Sequence, residues 1–355
     1  MHENGTPHIG IVGCGNIGHR HAQLLQGQGI PIAGGADIAP EARERFTEEF
    51  GVPTFDDHEA LFAEADAVVV TTPNAYHEEP VVDALEAGLD VLVEKPLAND
   101  VESAERIAAA AREAESFCMV GFHTRFESDV EVLTDYRQAG RFGEVDHVEA
   151  SFVRRRGVPG RGSWFTRKEV AGGGALIDIG VHALDLSLYL LGYPEVEEVT
   201  GVTRSQFGGS EDYTYLHMWG DDQGAEGFDV DDSASAFLRC ADGKTVSLEV
   251  AWATNRQPAQ EYVLRGSDAG ATFDKGAGEL TVHETSTEGG GHMSDSAIET
   301  DDRDAHAAEQ AYFVEHVAEG TTPSRNTVEQ GLLVQRVLDA IYESDETGSA
   351  VRLEN

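Results

Sequence analysis

A short apolar run, His8-Ile9-Gly10-Ile11-Val12, passes directly into Gly13-Cys14-Gly15-Asn16-Ile17-Gly18 and then into a helical pattern. Glycines at this spacing permit a tight turn, close approach of backbone to a pyrophosphate, and close packing of helix on strand. The helix N-terminus then faces the phosphate charge. The spacing alone is a weak signal, but following a strand and opening a helix it has the context it requires. Gly13, Gly15, Asn16, Ile17 and Gly18 are therefore candidate dinucleotide contacts. Asp37 ends the next strand, with Ile38 beside it and no basic residue until Arg43. A carboxylate there accepts hydrogen bonds from ribose hydroxyls and repels a 2′-phosphate, which favours NAD over NADP.

The rest of the first third repeats the strand–helix rhythm. Strands are expected at 30–36, 67–71, 89–94 and 117–120, and helices at 17–26, 40–50, 75–87 and 101–115. Near-continuous apolar strands separated by helices predict a parallel sheet covered on both faces. Beyond about residue 125 the pattern changes to period-two strands, with a hairpin signal at Asp242-Gly243. One helix is expected at 174–191 and two near the C-terminus. The stretch 285–302, rich in Gly, Ser, Asp and Glu, reads as a loop. The expectation is an α/β doubly wound domain, 1–124, followed by an α+β domain, 125–355. That second domain would carry a large, mostly antiparallel open sheet, and its C-terminal helix would pack back near the first domain.

Net charge excludes some functions. With 65 acidic and 25 basic residues the chain carries −40. No basic surface is available to neutralise nucleic-acid phosphates or anionic lipid. Repulsion on that scale is screened in molar salt, where the Debye length falls to about 3 Å, so a halophilic source is expected. Cys14, Cys118 and Cys240 fit no metal or redox spacing. No apolar run or N-terminal leader suggests a membrane span, and a cytoplasmic location is expected.

Three further segments carry chemistry. Lys95 is one of four lysines and closes the apolar run 89–94 in Glu94-Lys95-Pro96, where a rotatable ammonium can serve a reacting oxygen. Thr72-Pro73-Asn74, with His77, follows the strand at 67–71, at the edge of a parallel sheet where ligands bind; Asn74 either caps the next helix or also touches cofactor. In Gly172-Gly173-Gly174 through Asp185, Asp178 and His182 are four apart and share a helix face. Histidine is the base that titrates near neutrality, and a neighbouring carboxylate fixes its orientation. Asp185 lies only three beyond, so the spacing is not unique. No third ligand stands near enough for a metal.

Together these segments, with Gly121-Phe122 and Arg125-Phe126, resemble the glucose–fructose oxidoreductase / inositol dehydrogenase family of NAD(P)-dependent sugar dehydrogenases. The resemblance implies that Lys95, Asp178 and His182 surround a reacting carbinol, with Glu94 and Lys95 also near the cofactor. It further implies a cis Lys95–Pro96 bond and a homodimer or homotetramer built on the second-domain sheet. His123 departs from the usual residue of such enzymes. With Arg125, Arg156 of the basic run 154–156, and Trp164, it completes the candidate substrate contacts. The expected activity is hydride transfer between a sugar or cyclic polyol and nicotinamide. The alternatives are a redox-assisted glycosidase of the same fold and a non-catalytic dinucleotide-dependent regulator.

Overall fold

The computed structural model describes residues 6–216, 218 and 220–353. The chain forms two compact units, Met1–Phe126 with Asp304–Gln335, and Glu127–Arg303 with Arg336–Asn355. The expected pair of contiguous domains is therefore corrected. The helix Ala305–Glu319 belongs to the first unit because Phe313 and Val314 join its core, Phe313 meeting the Phe117 ring edge-on at 5.8 Å.

In the first unit, β1 (Ile9–Val12), β2 (Ile32–Ala36), β3 (Thr54–Phe55), β4 (Ala67–Val70), β5 (Asp90–Glu94) and β6 (Cys118–Gly121) form one sheet in the order β3-β2-β1-β4-β5-β6. Every pairing is parallel. Helices α1 (Asn16–Gly27), α2 (Pro40–Phe50), α3 (His58–Phe62), α4 (Glu78–Glu86) and α5 (Val101–Glu113) connect the strands. Strand Ala67-Val68-Val69-Val70 is wholly buried, as a strand covered on both faces must be. The chain reverses direction across the sheet between β1 and β4, and their carboxyl ends define the switch point where open α/β sheets bind ligands. The short β3 and α3 carry too few apolar residues to show a period.

In the second unit, α6 (Ser128–Gln138) precedes β7 (Val145–Val153), then come α7 (Lys168–Ala171) and α8 (Val181–Leu191). The remaining strands are β8 (Val196–Arg204), β9 (Ser233–Cys240), β10 (Thr245–Ala251), β11 (Ala259–Gly266), β12 (Ala269–Asp274), β13 (Glu279–Ser286), β14 (His292–Ile298) and β15 (Val351–Arg352). They form a nine-stranded sheet, β14-β13-β12-β11-β7-β10-β9-β8-β15, antiparallel except where β7 meets β10. The loop expected at 285–302 instead contains β14, paired to β13 from Leu280↔Ile298 to Ser286↔His292. Its polar residues gave no apolar alternation because this edge strand is largely exposed.

The helical stretch Lys168–Leu191 is long and apolar enough to cross a membrane, contrary to the sequence expectation, but 83% of its apolar window is buried inside the protein. Within it, Gly174 lies against neighbouring backbone, where a Cβ would stand 1.8 Å from Asp231 O. Asp231 accepts from Gly174 N at 2.8 Å, Leu176 N at 2.9 Å and the Tyr342 hydroxyl at 2.7 Å. Neighbouring Asp232 accepts three amide hydrogens, from Gln206, Phe207 and Gly208. These two acids are buried tethers rather than part of the charged surface.

Candidate functional site

The glycine turn begins with Gly13 at φ +100°, where a Cβ would lie 2.8 Å from the Thr71 carbonyl carbon. A Cβ on Gly18 would lie 2.0 Å from Gly13 O, so this helix–turn contact requires glycine. Gly15, by contrast, faces open space and precedes α1 without any side-chain cap. The first amides of α1 thus retain the donors an anion needs. Thr71 Oγ1 donates to Gly13 O at 2.7 Å, tying the turn to the end of β4. The turn is shaped to cradle a dinucleotide pyrophosphate. Asn16 and Ile17 are both exposed at the start of α1, and Ile38 is 90% exposed.

Asp37 is held by two amides, Oδ2 accepting from Cys14 N and Oδ1 from Ala39 N, each at 2.8 Å. Each carboxylate oxygen keeps lone-pair capacity for a ribose hydroxyl. Arg43 Nη1 donates to Asp37 O at 2.6 Å.

Around Lys95 each expected contact also has a partner within the protein. Lys95 is half-buried where β5 ends, before a cis peptide bond to Pro96. Glu94, counted as a cofactor contact, turns inward: Oε1 lies 2.8 Å from His21 Nε2, and Oε2 accepts from Lys95 N at 3.2 Å. Gln310 Nε2 lies 2.7 Å from His21 Nδ1 and donates to His21 O. An amide donor at Nδ1 leaves the His21 ring proton on Nε2, aimed at the carboxylate. Glu94 is partly buried, which alone would raise its pKa, but His21, with His306 and Lys95, holds it at about 2. His306 stacks on His123 at 3.7 Å and 16°, and burial lowers its pKa to about 4.

His77, another expected cofactor contact, is buried, with ring nitrogens 3.0 Å from Pro96 O and 2.8 Å from Thr72 O. Its role is to join the Thr72-Pro73-Asn74 loop to the Lys95–Pro96 corner. Thr72 Oγ1 donates to Tyr76 O at 2.8 Å, closing that loop. Asn74 is buried and opens a short 3₁₀ turn; His77, not Asn74, precedes α4. Arg125, expected to touch substrate, is fully buried, bonding Gln330 Oε1 at 2.5 Å and lying over the Phe122 ring.

In the second unit Asp178 does not sit on a regular α-helix. Leu176–Gly180 is a π-turn that leads into α8. Such insertions recur at functional sites. Along α8 every residue is buried except His182 and Tyr189. Asp185, the competing carboxylate, is buried and accepts from Tyr193 Oη at 2.5 Å. Asp178 Oδ2 accepts the Trp252 indole N–H at 2.9 Å, and Arg154 Nη1 lies 3.9 Å from the same oxygen. Trp252 is wholly buried just after β10 and had no readable signal, because only strand pairing brings it to Asp178. Arg156, chosen from the sequence, instead bonds Arg155 O, Thr254 O and Asn255 Oδ1, and Trp164 stacks on Phe165 at 3.8 Å.

Residues 8–122 match the model of the oxidoreductase family with an NAD-binding Rossmann fold, and residues 131–272 match the GFO/IDH/MocA C-terminal domain. D-glucoside 3-dehydrogenase of Escherichia coli is 31% identical over 352 residues, 97% of each chain. D-xylose 1-dehydrogenase (NADP(+)) 2 of Haloferax volcanii is 27% identical over 98% of this chain and 99% of its own. The fold matches that of levoglucosan dehydrogenase in complex with NADH and levoglucosan, with a TM-score of 0.84 and 22% identity over 98% and 99% of the two chains. The chain belongs to the GFO/IDH/MocA family of oxidoreductases. Its relatives include sugar and inositol dehydrogenases, and it is an oxidoreductase acting on CH–OH groups.

Proposed function

We propose that the protein oxidises a secondary or anomeric carbinol of a sugar or cyclic polyol, with NAD preferred to NADP. The observation that carries this reading is the helix α8, buried except at His182 and Tyr189, headed by a π-turn whose Asp178 is fixed by Trp252. An ionisable pair on an otherwise buried helix costs stability unless it serves a polar guest.

The bound nicotinamide supplies the hydride acceptor. His182 takes the hydroxyl proton as the carbon–hydrogen bond breaks. Lys95 donates a hydrogen bond to the same oxygen as it becomes a carbonyl, and Asp178 orients His182. Asp37 supports the NAD preference, since a carboxylate just beyond β2 would repel a 2′-phosphate.

The test is NADH formation across methyl glucosides, aldoses and inositols in molar KCl, with NAD and NADP side by side. The 31% identical glucoside 3-dehydrogenase makes glucosides the first sugars to try. Lys95→Ala should lower kcat by about 100- to 1,000-fold and leave NADH affinity within about threefold. Near-normal turnover in that variant sinks the assignment.

A further inference from the structure

Three arginines, Arg154, Arg155 and Arg156, follow β7, and the second unit uses them differently. Arg156 is spent on two carbonyls, one side-chain oxygen and the face of Phe207. Nearby Arg161 is likewise spent, on Asp222, Gly208 O and Ser210 O. Arg154 is not. Among the described residues its side chain makes one hydrogen bond, Nη1 to Gly157 O at 3.3 Å, lies over Phe152, and approaches Asp178. A guanidinium carries five N–H donors, so most of these remain for a guest. Its side chain is only 26% exposed, and burial lowers its pKa while Asp178 opposes that shift.

The position of Arg154 is built. A Cβ on Gly157 would stand 2.7 Å from Arg154 Cδ and 2.9 Å from its Cβ, so only glycine leaves this side chain where it is. On the far side Trp252 holds Asp178 Oδ2 at 2.9 Å. The result is a gap of 3.9 Å between Arg154 Nη1 and Asp178 Oδ2, too long for a hydrogen bond. An oxygen about 2.8 Å from both atoms closes a triangle with an angle of about 90° at that oxygen. A hydroxyl fits, accepting from Nη1 and donating to Oδ2. An ether accepts but cannot donate. A phosphate or carboxylate meets Asp178 as a like charge, and an ammonium meets Arg154 as one.

We propose that Arg154 and Asp178 together read one hydroxyl of the sugar other than the hydroxyl being oxidised. Arg154 is then a specificity-determining residue, and the substrates are uncharged sugars or polyols with that hydroxyl free. This rests on the dehydrogenase reading above.

The probes are methyl α- and β-D-glucopyranoside, D-glucose, D-xylose and myo-inositol, each beside its monodeoxy analogues, with glucose 6-phosphate as an anionic comparator. Wild type should lose about 10- to 100-fold in kcat/KM at one deoxy position. Arg154→Met should lose as much on the parent sugar and almost nothing more with that analogue, because both changes remove one interaction. Gly157→Ala, which displaces the guanidinium without removing its charge, should fall between. Unchanged NADH affinity and melting temperature identify variants that fold; if the methionine variant melts early, Arg154→Lys carries the comparison. Equal slowing of parent and every analogue by Arg154→Met overturns the inference and leaves the dehydrogenase reading standing. A wild type that reduces NAD with none of the parent sugars overturns both. Preferential turnover of glucose 6-phosphate, abolished by Arg154→Met, overturns the hydroxyl reading in favour of an anion site.

Discussion

Replacing His306 with phenylalanine should remove much of the acid sensitivity of the first unit while keeping the ring stack on His123. Burial is the largest influence on His306. The Glu94 and Asp304 carboxylates raise its pKa, His21 and Arg20 lower it, and it settles at about 4 against 6.5 for a free imidazole. Between those two values the unfolded chain binds a proton that the folded protein refuses, so stability falls as pH drops from 6.5 towards 4. Fully expressed, the gap is worth about 3 kcal/mol. By pH 4.5 most of it is realised, and the ring's partial exposure reduces the contribution to about 2 kcal/mol. Glu94 acts in a lower window. Its pKa of about 2 gives stability that is present above 4.5 and lost as pH falls from 4.5 towards 2, so it barely contributes at pH 4.5. Urea unfolding in molar KCl, followed by circular dichroism from pH 7.5 to 4.5, should show the wild type losing about 2 kcal/mol more than His306→Phe. Carboxylates remote from His306 titrate alike in both proteins and cancel in the difference, leaving Glu94 and Asp304 as the carboxylates the substitution also touches. Curves that stay parallel over that range would refute the reasoning.

Two other substitutions separate cofactor choice from chemistry. Asp37→Asn removes the charge and keeps an acceptor for Cys14 N, with Arg43 still anchored on the Asp37 carbonyl. The ratio of kcat/KM for NADP to that for NAD should rise about 100-fold, since a carboxylate and a phosphate at about 4 Å repel by several kcal/mol; an unchanged ratio contradicts the role given to Asp37. Trp252→Phe deletes the indole N–H from Asp178, a bond to a charged group worth about 1.5–3 kcal/mol. It should lower kcat roughly 10- to 100-fold with NADH affinity within twofold, and a change in affinity alone would argue against a positioning role.

The architecture of the first unit was legible because its signals are local. A glycine turn, apolar strands and helix periods each announce themselves within a dozen residues. Misses fall where local pattern is weak or where stability comes from distant chain. The two-residue β3 is too short to show alternation, and β14 hides its strand character behind polar residues on an exposed edge. Helix Ala305–Glu319 reads as amphipathic, but nothing in its own sequence says that Phe313 packs on Phe117, almost two hundred residues earlier.

The candidate site divides along the same line. Motif residues were found as motifs, yet the motif did not say which way each side chain turns. Glu94 and His77 stand beside the proposed chemistry, but both face inward, where one holds the Lys95 amide and the other bridges two loops through backbone carbonyls. A charged cluster was visible at 154–156, and the sequence pointed to Arg156, whose guanidinium proves to be spent on backbone. Arg154 could be distinguished from it only by counting acceptors, which requires β7, β10 and the π-turn together. The same holds for Trp252: a strand-end tryptophan carries no code for its partner, and Asp178 meets the indole from within a π-turn that the sequence does not announce. Two departures from ordinary local rules, a glycine that admits no side chain beside Arg154 and a helix with an extra residue in its turn, therefore converge on one carboxylate oxygen. Both make sense if Asp178 and Arg154 must stay 3.9 Å apart, a loose ion pair with room for a guest oxygen, rather than close into a direct hydrogen bond.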